Sequence, residues 1–448
     1  MQSTSSVIAR LPQVQDHEYA VNLPKIGVIV YNEPYYWNPI DNGTYTARSN
    51  NRIRIDIPNT DIWNFQNGWL AVDLAVTSDG ISTDANPPYV RMSNGIWNAV
   101  ERVCHLSNLS RIEEQFPYWQ LFSYQWVFEQ SEQVEQTFRG VLGIGTQATR
   151  NLWAMNGGPA TGGFKKRFIV PLDLGWISSG PFPAKYMNTL QSIEIFLCNP
   201  NQFLESNCGN LNFSFSNVEL HAYKMTAKFP NVVNELRGTT WEDGFRNFVK
   251  SGNYAVMLDY FDWYQNTPIA QQGDYLIPVK TAAIQGIYTV FGNQQNVSNP
   301  LINERLLTFP KLDISQFQLK IFSKMYPEQP VDCRDDAFQA YWFYLNQIGG
   351  WRINAFPGLD PMNDSMNEVS VLIENFNTDS FVAVFDFRSV KKVPSINPIF
   401  NADNSTGEVR INLRFDTPPP LGTCTYHIVR SSSIFGLTSE GTPWTALN

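Results

Sequence analysis

Residues 211–225 read LNFSFSNVELHAYKM, and the spacing of their apolar side chains decides the fold class. Leu211, Phe213 and Phe215 alternate with polar residues, the period of a strand that buries one face. At Ser216 and Asn217 the alternation slips by one position, and Val218, Leu220 and Ala222 carry the apolar face onward. A one-residue slip of this kind predicts a β-bulge or a short bend. The stretch lies at the middle of a 448-residue chain, so it closes one β-domain and leaves room for a second of similar size.

Working outward, strand patterns recur on both sides. Before it come residues 25–31 (KIGVIVY), 52–57 (RIRIDI), 69–76 (WLAVDLAV), 96–106, 167–174 (RFIVPLDL) and 190–197 (LQSIEIFL). The Asn67-Gly68 pair between the second and third of these is a favoured turn and suggests a hairpin. After the mid-chain strand come 254–264, 280–291, 316–322 (QFQLKIF), 369–374, 381–387, 408–415 (EVRINLRF) and 425–429. In the last full pattern Val409, Ile411, Leu413 and Phe415 point inward. Helical signals are sparse. Ser110 and Glu113 have the spacing of a capping box, with a helix over 118–129 carrying Trp119, Phe122 and Trp126. A second helix over 332–348 places Phe338, Trp342 and Leu345 on one face, to pack on a sandwich or a neighbouring chain, and Gly349-Gly350 ends it. Residues 139–165 read as a Gly-rich loop.

The two halves agree in element order at an offset of roughly 216–220 residues, LSNLSRIEE at 106–114 meeting FSKMYPEQP at 322–330. One helix among many strands in each half predicts an all-β protein of two consecutive jelly-roll β-sandwiches, each with a short inserted helix. The expected division is an arm over 1–20, a first jelly roll over 21–225 and a second over 226–448.

Composition supports this class. Aromatics make up 14% and charged residues 16%, and Gly and Pro, 28 each, are spread along the chain, as in a β-protein with long loops. The net charge of −9 disfavours a direct grip on nucleic acid, which asks for a basic face. No apolar run approaches a membrane span. The start of the chain lacks the pattern of a signal peptide, pointing to synthesis in the cytosol. The odd set Cys104, Cys198, Cys208, Cys333 and Cys424 reads as reduced and mostly buried. The sequons at Asn42, Asn108, Asn212, Asn296, Asn363 and Asn404 read as chance matches in an Asn-rich chain.

Each catalytic pattern in the sequence has a plainer reading. Gly143, Gly145 and Ala148 spell G-x-G-x-x-A, but the strand, helix and acidic residue a dinucleotide site needs are missing around them. His17, His105, His221 and His427 stand apart from one another, with no zinc spacing. The pairs Glu113/Glu114 and Asp335/Asp336 fit helix starts, where negative charge complements the dipole. Residues 360–368 are acidic but lack the glycine and terminal Glu of an EF-hand loop. Asp259 and Asp262 in DYFDW form the pair that a glycosidase would use. The reading is therefore no catalytic, cofactor-binding or metal site.

Several passages together resemble the double jelly-roll major capsid proteins of tailless icosahedral double-stranded DNA viruses, the group of virophages, Polinton-like viruses and, more distantly, adenoviruses. RIRIDIPNTDIWNFQNGWLAVDLAV looks like that family's opening strands. KKRFIVPLDL, PFPAKYMNTLQSIEIFL and FSFSNVELHAYKM look like the end of its first jelly roll, and QFQLKIFSKMYPEQP and FVAVFDFRSV like parts of its second. The resemblance spans about residues 25–430. It implies a structural subunit of the virion without enzyme activity or cofactor. Its partners would be two further copies in a trimer, neighbouring capsomers, and penton or minor capsid proteins. The rival from another class is a β-sandwich carbohydrate-binding protein or glycoside hydrolase. A viral spike or fibre protein is the third.

Overall fold

A computed structural model describes residues 29–115, 164–228, 246–293, 309–348, 376–387, 400–401 and 408–447, apart from a few positions inside those ranges. The first half comprises β1 (Ile29–Trp37), β2 (Tyr45–Thr46), β3 (Arg52–Ile57), β4 (Trp63–Thr77), β5 (Val90–Met92), β6 (Val100–Ser107), β7 (Ser110–Gln115), β8 (Phe164–Pro171), β9 (Pro181–Phe182), β10 (Gln191–Leu197), β11 (Leu204–Ser206) and β12 (Asn212–Lys228). One sheet runs β1-β12-β4-β8, with β2 on β12 and β9 on β4; the facing sheet runs β3-β10-β6-β7. Strands consecutive in sequence thus change sheets, as in a jelly roll.

The second half comprises β13 (Ala255–Asn266), β14 (Gln272–Ile277), β15 (Ala283–Asn293), β16 (Ile314–Ile321), β17 (Lys324–Asp332), β18 (Ala383–Asp386), β19 (Phe400–Asn401), β20 (Val409–Phe415), β21 (Thr423–Leu437) and β22 (Pro443–Leu447). Its sheets run β13-β21-β15-β18 and β14-β20-β16-β17, with β19 on β15 and β22 on β21. The eight strands of these two sheets follow the order of β1, β3, β4, β6, β7, β8, β10 and β12 in the first half, where β5 and β11 form an extra pair. The paired passages LSNLSRIEE and FSKMYPEQP fall on the matched hairpins β6–β7 and β16–β17.

The mid-chain strand behaves as its pattern predicts. Leu211, Phe213, Phe215, Val218, Leu220 and Ala222 are all buried. The register of β12 against β4 shifts between Ser216 and Glu219, and Asn217 there has φ 48°. The bulge lets the apolar face stay inward after the slip. Across the sandwich it meets Ile53, Ile55 and Ile57 of β3 in one core, and Val409, Ile411, Leu413 and Phe415 serve the second core in the same way. Each such side chain contributes about 1.5–3 kcal/mol through burial.

Three expectations need correction. Asn67-Gly68 does not turn a hairpin: β3 and β4 lie in opposite sheets, and both residues sit inside the single strand β4. There β4 departs from the regular ladder between Asn64↔Tyr223 and Trp69↔His221. A Cβ at Gly68 would stand 3.0 Å from the Phe65 carbonyl oxygen and 3.2 Å from that of His221, so glycine serves a close backbone approach. Second, Ser110 opens no helix. It starts β7 after a two-residue turn in which Asn108 and Leu109 have φ 46° and 69°. The inward positions of β7 are Glu113 and Gln115, both polar and buried, and this masks the strand period. The expected helix over 118–129, the loop's larger part and the strand over 369–374 lie outside the described residues, and residues 96–99 form a 3-10 turn before β6.

The third correction concerns the long helix. Asp332 ends β17, and the helix α3 spans Phe338–Ile348, numbered after α1 (Gly175–Ser178) and α2 (Pro200–Phe203). Its buried side is Ala340 and Tyr344; Phe338 is 63% and Trp342 56% exposed. The Tyr344 ring meets Phe376 at 5.3 Å, and Phe343 meets Phe317 at 6.0 Å. Aromatics at 338, 341, 342, 343 and 344 surround the helix, so spacing alone did not select the buried face. Tyr344→Ala should therefore cost about 3–5 kcal/mol, and Trp342→Ala less than about 1 kcal/mol, in denaturant unfolding. Equal losses from the two would show that the phase described here is wrong.

Candidate assembly surfaces and the joint between the sandwiches

The two sandwiches meet in a built joint rather than a loose tether. It begins with Glu113, inward-facing and buried on β7. Its Oε1 accepts a hydrogen bond from the Gly175 N–H at 2.6 Å and its Oε2 one from the Trp176 N–H at 3.1 Å. A carboxylate in this place satisfies backbone donors that the start of α1 leaves open. The pair Glu113/Glu114 was expected to mark its own helix start; Glu113 instead serves a helix 62 residues further on.

With its backbone fixed, Trp176 is buried and packs both ways. It meets Phe182 of its own sandwich at 5.4 Å, and stacks on Phe435 of β21 at 5.8 Å and 24°. Beside it the Tyr254 hydroxyl donates to the Pro181 carbonyl oxygen at 3.3 Å. Burial raises the pKa of that phenol. Val249, Tyr254, Val256, Phe435 and Leu437 belong to the same apolar cluster as the first sandwich's core. At the joint's rim the Asn188 N–H donates to the Gly441 carbonyl oxygen at 3.1 Å, and its side-chain amide to Thr442 Oγ1 at 2.9 Å. Gly441 has φ 82°, and a Cβ there would lie 2.1 Å from the Tyr186 carbonyl oxygen. Only glycine permits this approach.

On the outer face of the first six-stranded sheet a ladder of rings crosses three strands. Tyr36, His221 and Trp69 occupy directly opposed positions on β1, β12 and β4. Trp69 stacks on His221 at 5.2 Å and 8°, and Tyr36 on its other side at 5.7 Å and 29°. His221 Nε2 lies 3.0 Å from Glu219 Oε2, and Arg167 bridges Glu219 at 2.6 Å to Asp73 at 3.1 Å. Burial pushes the Asp73 carboxyl up, but hydrogen bonds from Asn217 and Arg167 outweigh it and hold the pKa below the usual range.

The other candidate residues do not converge. Asp259 and Asp262 pair with Ser432 and Val429 on one unbroken ladder. An odd separation on a strand puts the two positions on opposite faces, which a paired-carboxylate mechanism cannot use. His105 is buried with Nε2 2.8 Å from Gln191 Oε1; burial lowers its pKa to about 4, against the effect of that hydrogen bond. His427, buried between Thr289 at 2.8 Å and Asn266 at 3.1 Å, is lowered by burial to about 3. The two imidazoles lie in different sandwiches and are neutral structural groups. All five cysteines are buried free thiols, and burial raises the pKa of Cys104 to about 12. His17, the 143–148 motif, Asp335, Asp336 and residues 360–368 lie outside the described residues. Among the described residues no cluster of three His, Cys, Asp or Glu could hold a metal, and no helix is long and apolar enough to cross a membrane.

No family model and no curated protein matches the sequence. Solved structures do match. The Faustovirus major capsid protein aligns with TM-score 0.62 at 11% identity, over 92% of this chain and 91% of that one. A chain of the PBCV-1 virus capsid gives 0.55 at 10% identity, over 95% and 98%. The mavirus major capsid protein gives 0.50 at 12% identity, over 97% and 95%. The fold is the double jelly roll of viral major capsid proteins. At this identity the likeness rests on strand order and path rather than on shared side chains. The joint of this double jelly roll is what sequence reasoning missed. No local pattern marks it, since Glu113, Trp176 and Gly441 lie far apart in the sequence.

Removing the Glu113 carboxylate should expose the weak point. Glu113→Ala leaves two N–H groups without acceptors in a dry place and should cost about 3 kcal/mol. Glu113→Gln, which keeps one acceptor oxygen, should fall between it and the parent. Denaturant unfolding followed by tryptophan emission measures both, and parent-like stability of the alanine variant would contradict the capping role.

Proposed function

We propose that this protein is a major capsid protein, the structural subunit of an icosahedral double-stranded DNA virus shell. The observation that carries the reading is the repetition of one eight-stranded jelly roll, the two copies joined where Val249, Tyr254, Val256, Phe435 and Leu437 of the second half enter the first sandwich's core, in a chain that aligns over nearly its whole length with viral major capsid proteins. Two rigidly joined sandwiches per chain give six in a trimer, so three copies can fill a sixfold lattice position with threefold symmetry. The proposed division is an arm over 1–20, a first jelly roll over 21–225 and a second over 226–448; β12 itself runs on to Lys228.

The subunit is read as non-enzymatic and free of cofactor. Its partners are two further copies of itself, neighbouring capsomers, and penton or minor capsid proteins, and its place is the virion after synthesis in the host cytoplasm. The carbohydrate-active alternative loses its best candidate pair to the opposite-face placement of positions 259 and 262.

Light scattering on the purified full chain tests the reading. The expected native mass is three times the 51.1 kDa of one chain, stable on dilution, because an obligate interface buries more than about 2,000 Å². A species that stays monomeric at every concentration, with or without turnover on glycans, sinks it.

A further inference from the structure

The joint holds a titratable ring that the capping of α1 does not use. His105 of β6 is completely buried, and its ring meets Trp176 at 5.6 Å and Phe182 at 5.7 Å. These two rings are the path from the first sandwich to Phe435 of the second. His105 also stands directly opposite Glu113 on the β6–β7 ladder, and opposed residues of an antiparallel pair share a face.

Its hydrogen bonds fix where its proton sits. The Gln191 amide nitrogen donates to Ser107 Oγ at 3.1 Å and to the Thr189 carbonyl oxygen and Oγ1 at 2.9 and 2.8 Å. That leaves Gln191 Oε1 facing His105 Nε2 at 2.8 Å. An amide oxygen only accepts, so Nε2 carries the hydrogen and Nδ1 is the bare lone pair. Nδ1 has no hydrogen-bond partner among the described residues. A second proton there would place a cation without an acceptor against aromatic rings in a dry site, which is costly.

The elements packed on the ring offer that cation little. α1 and β9 present Trp176 and Phe182, β10 presents the neutral Gln191, and β7 presents Glu113. Beyond Trp176 lies the Tyr254 phenol, whose pKa burial raises. Glu113 is the one anion facing the ring, and its oxygens hold the Gly175 and Trp176 N–H groups. Turning toward a charged His105 would withdraw it from α1. A proton on Nδ1 thus loosens the segment that carries Trp176 whether or not Glu113 responds.

We propose that His105 is an acid-operated release for the joint: on taking a proton at Nδ1 it frees Trp176 from Phe435 and lets the two sandwiches part while each keeps its own strands. The device lies within one chain and does not rest on the capsid reading. Burial sets its direction. The ring's pKa falls from the ordinary 6.5 to about 4, so the closed joint binds fewer protons than an open one between those values. Opening is favoured as the pH drops below about 6.5, and the gain levels off below about 4. His427, buried among Thr289, Asn266 and Thr425 of the second sandwich, is the natural control.

Hydrogen–deuterium exchange on the full chain, corrected for the intrinsic effect of pH on exchange, tests the proposal. Between about pH 7.5 and about pH 5, peptides covering Trp176 and Phe435 should lose protection by about 30-fold. Peptides covering Ile55 of β3 and Ile411 of β20 should change far less. The loss should vanish in His105→Gln, which can still donate to Gln191, and persist in His427→Gln, with circular dichroism confirming that each variant is folded. Unchanged protection of the Trp176 peptide in the parent overturns the proposal, as does an equal loss in the core peptides. So does a loss that survives in folded His105→Gln or disappears in His427→Gln. If His105→Gln does not fold, the parent and His427→Gln still decide.

Discussion

A buried carboxylate sets how the two halves of this protein sit. Glu113 spends both oxygens on the backbone of α1, and this orients Trp176 toward Phe435 across the joint. Without that fixation four residues of helix would have no means of holding an indole in place, since so short a helix is not stable alone. The acid is affordable in a dry site because its acceptors are used on two N–H donors, which is the condition under which buried charge is tolerated. Around this contact lie the stack of Phe435 on Trp176 and, at the rim, the close approach of Gly441 to Tyr186.

In the proposed shell, rigidity at the joint would matter. A tile that flexed between its halves would spread its edge angles, and each lattice contact would carry an ordering cost. A core continuous from Phe182 through Trp176 to Phe435 removes that freedom before assembly starts. The same economy explains the histidines: His105 and His427 are kept neutral and hydrogen-bonded inside the sandwiches, where they fix register between strands rather than perform chemistry.

Much of the fold was legible in the sequence because one-sided strands announce themselves. LNFSFSNVELHAYKM showed both its buried face and its bulge, and EVRINLRF its inward set, since apolar alternation is a direct imprint of a two-layer core. The misreadings share a physical cause, which is a core position filled by something other than a simple apolar residue. The strand β7 was hidden by inward Glu113 and Gln115. The phase of α3 was hidden by aromatics on every side, with Tyr344 and not Trp342 at the core. Asn67-Gly68 has turn chemistry, yet glycine there answers a close approach by the His221 backbone. The joint was not legible at all, because Glu113, Trp176, Tyr254 and Phe435 are far apart in sequence and follow no local period.

As proposed, the chain is one rigid double jelly roll that tiles by threefold repetition. A side-chain-resolution cryo-electron-microscopy reconstruction of the native oligomer tests it most directly. Six similar sandwiches alternating first and second around a threefold axis are expected, with the Trp176–Phe435 stack intact in every chain. Sandwiches that fail to superpose, or chains that differ in the angle between their halves, would contradict it.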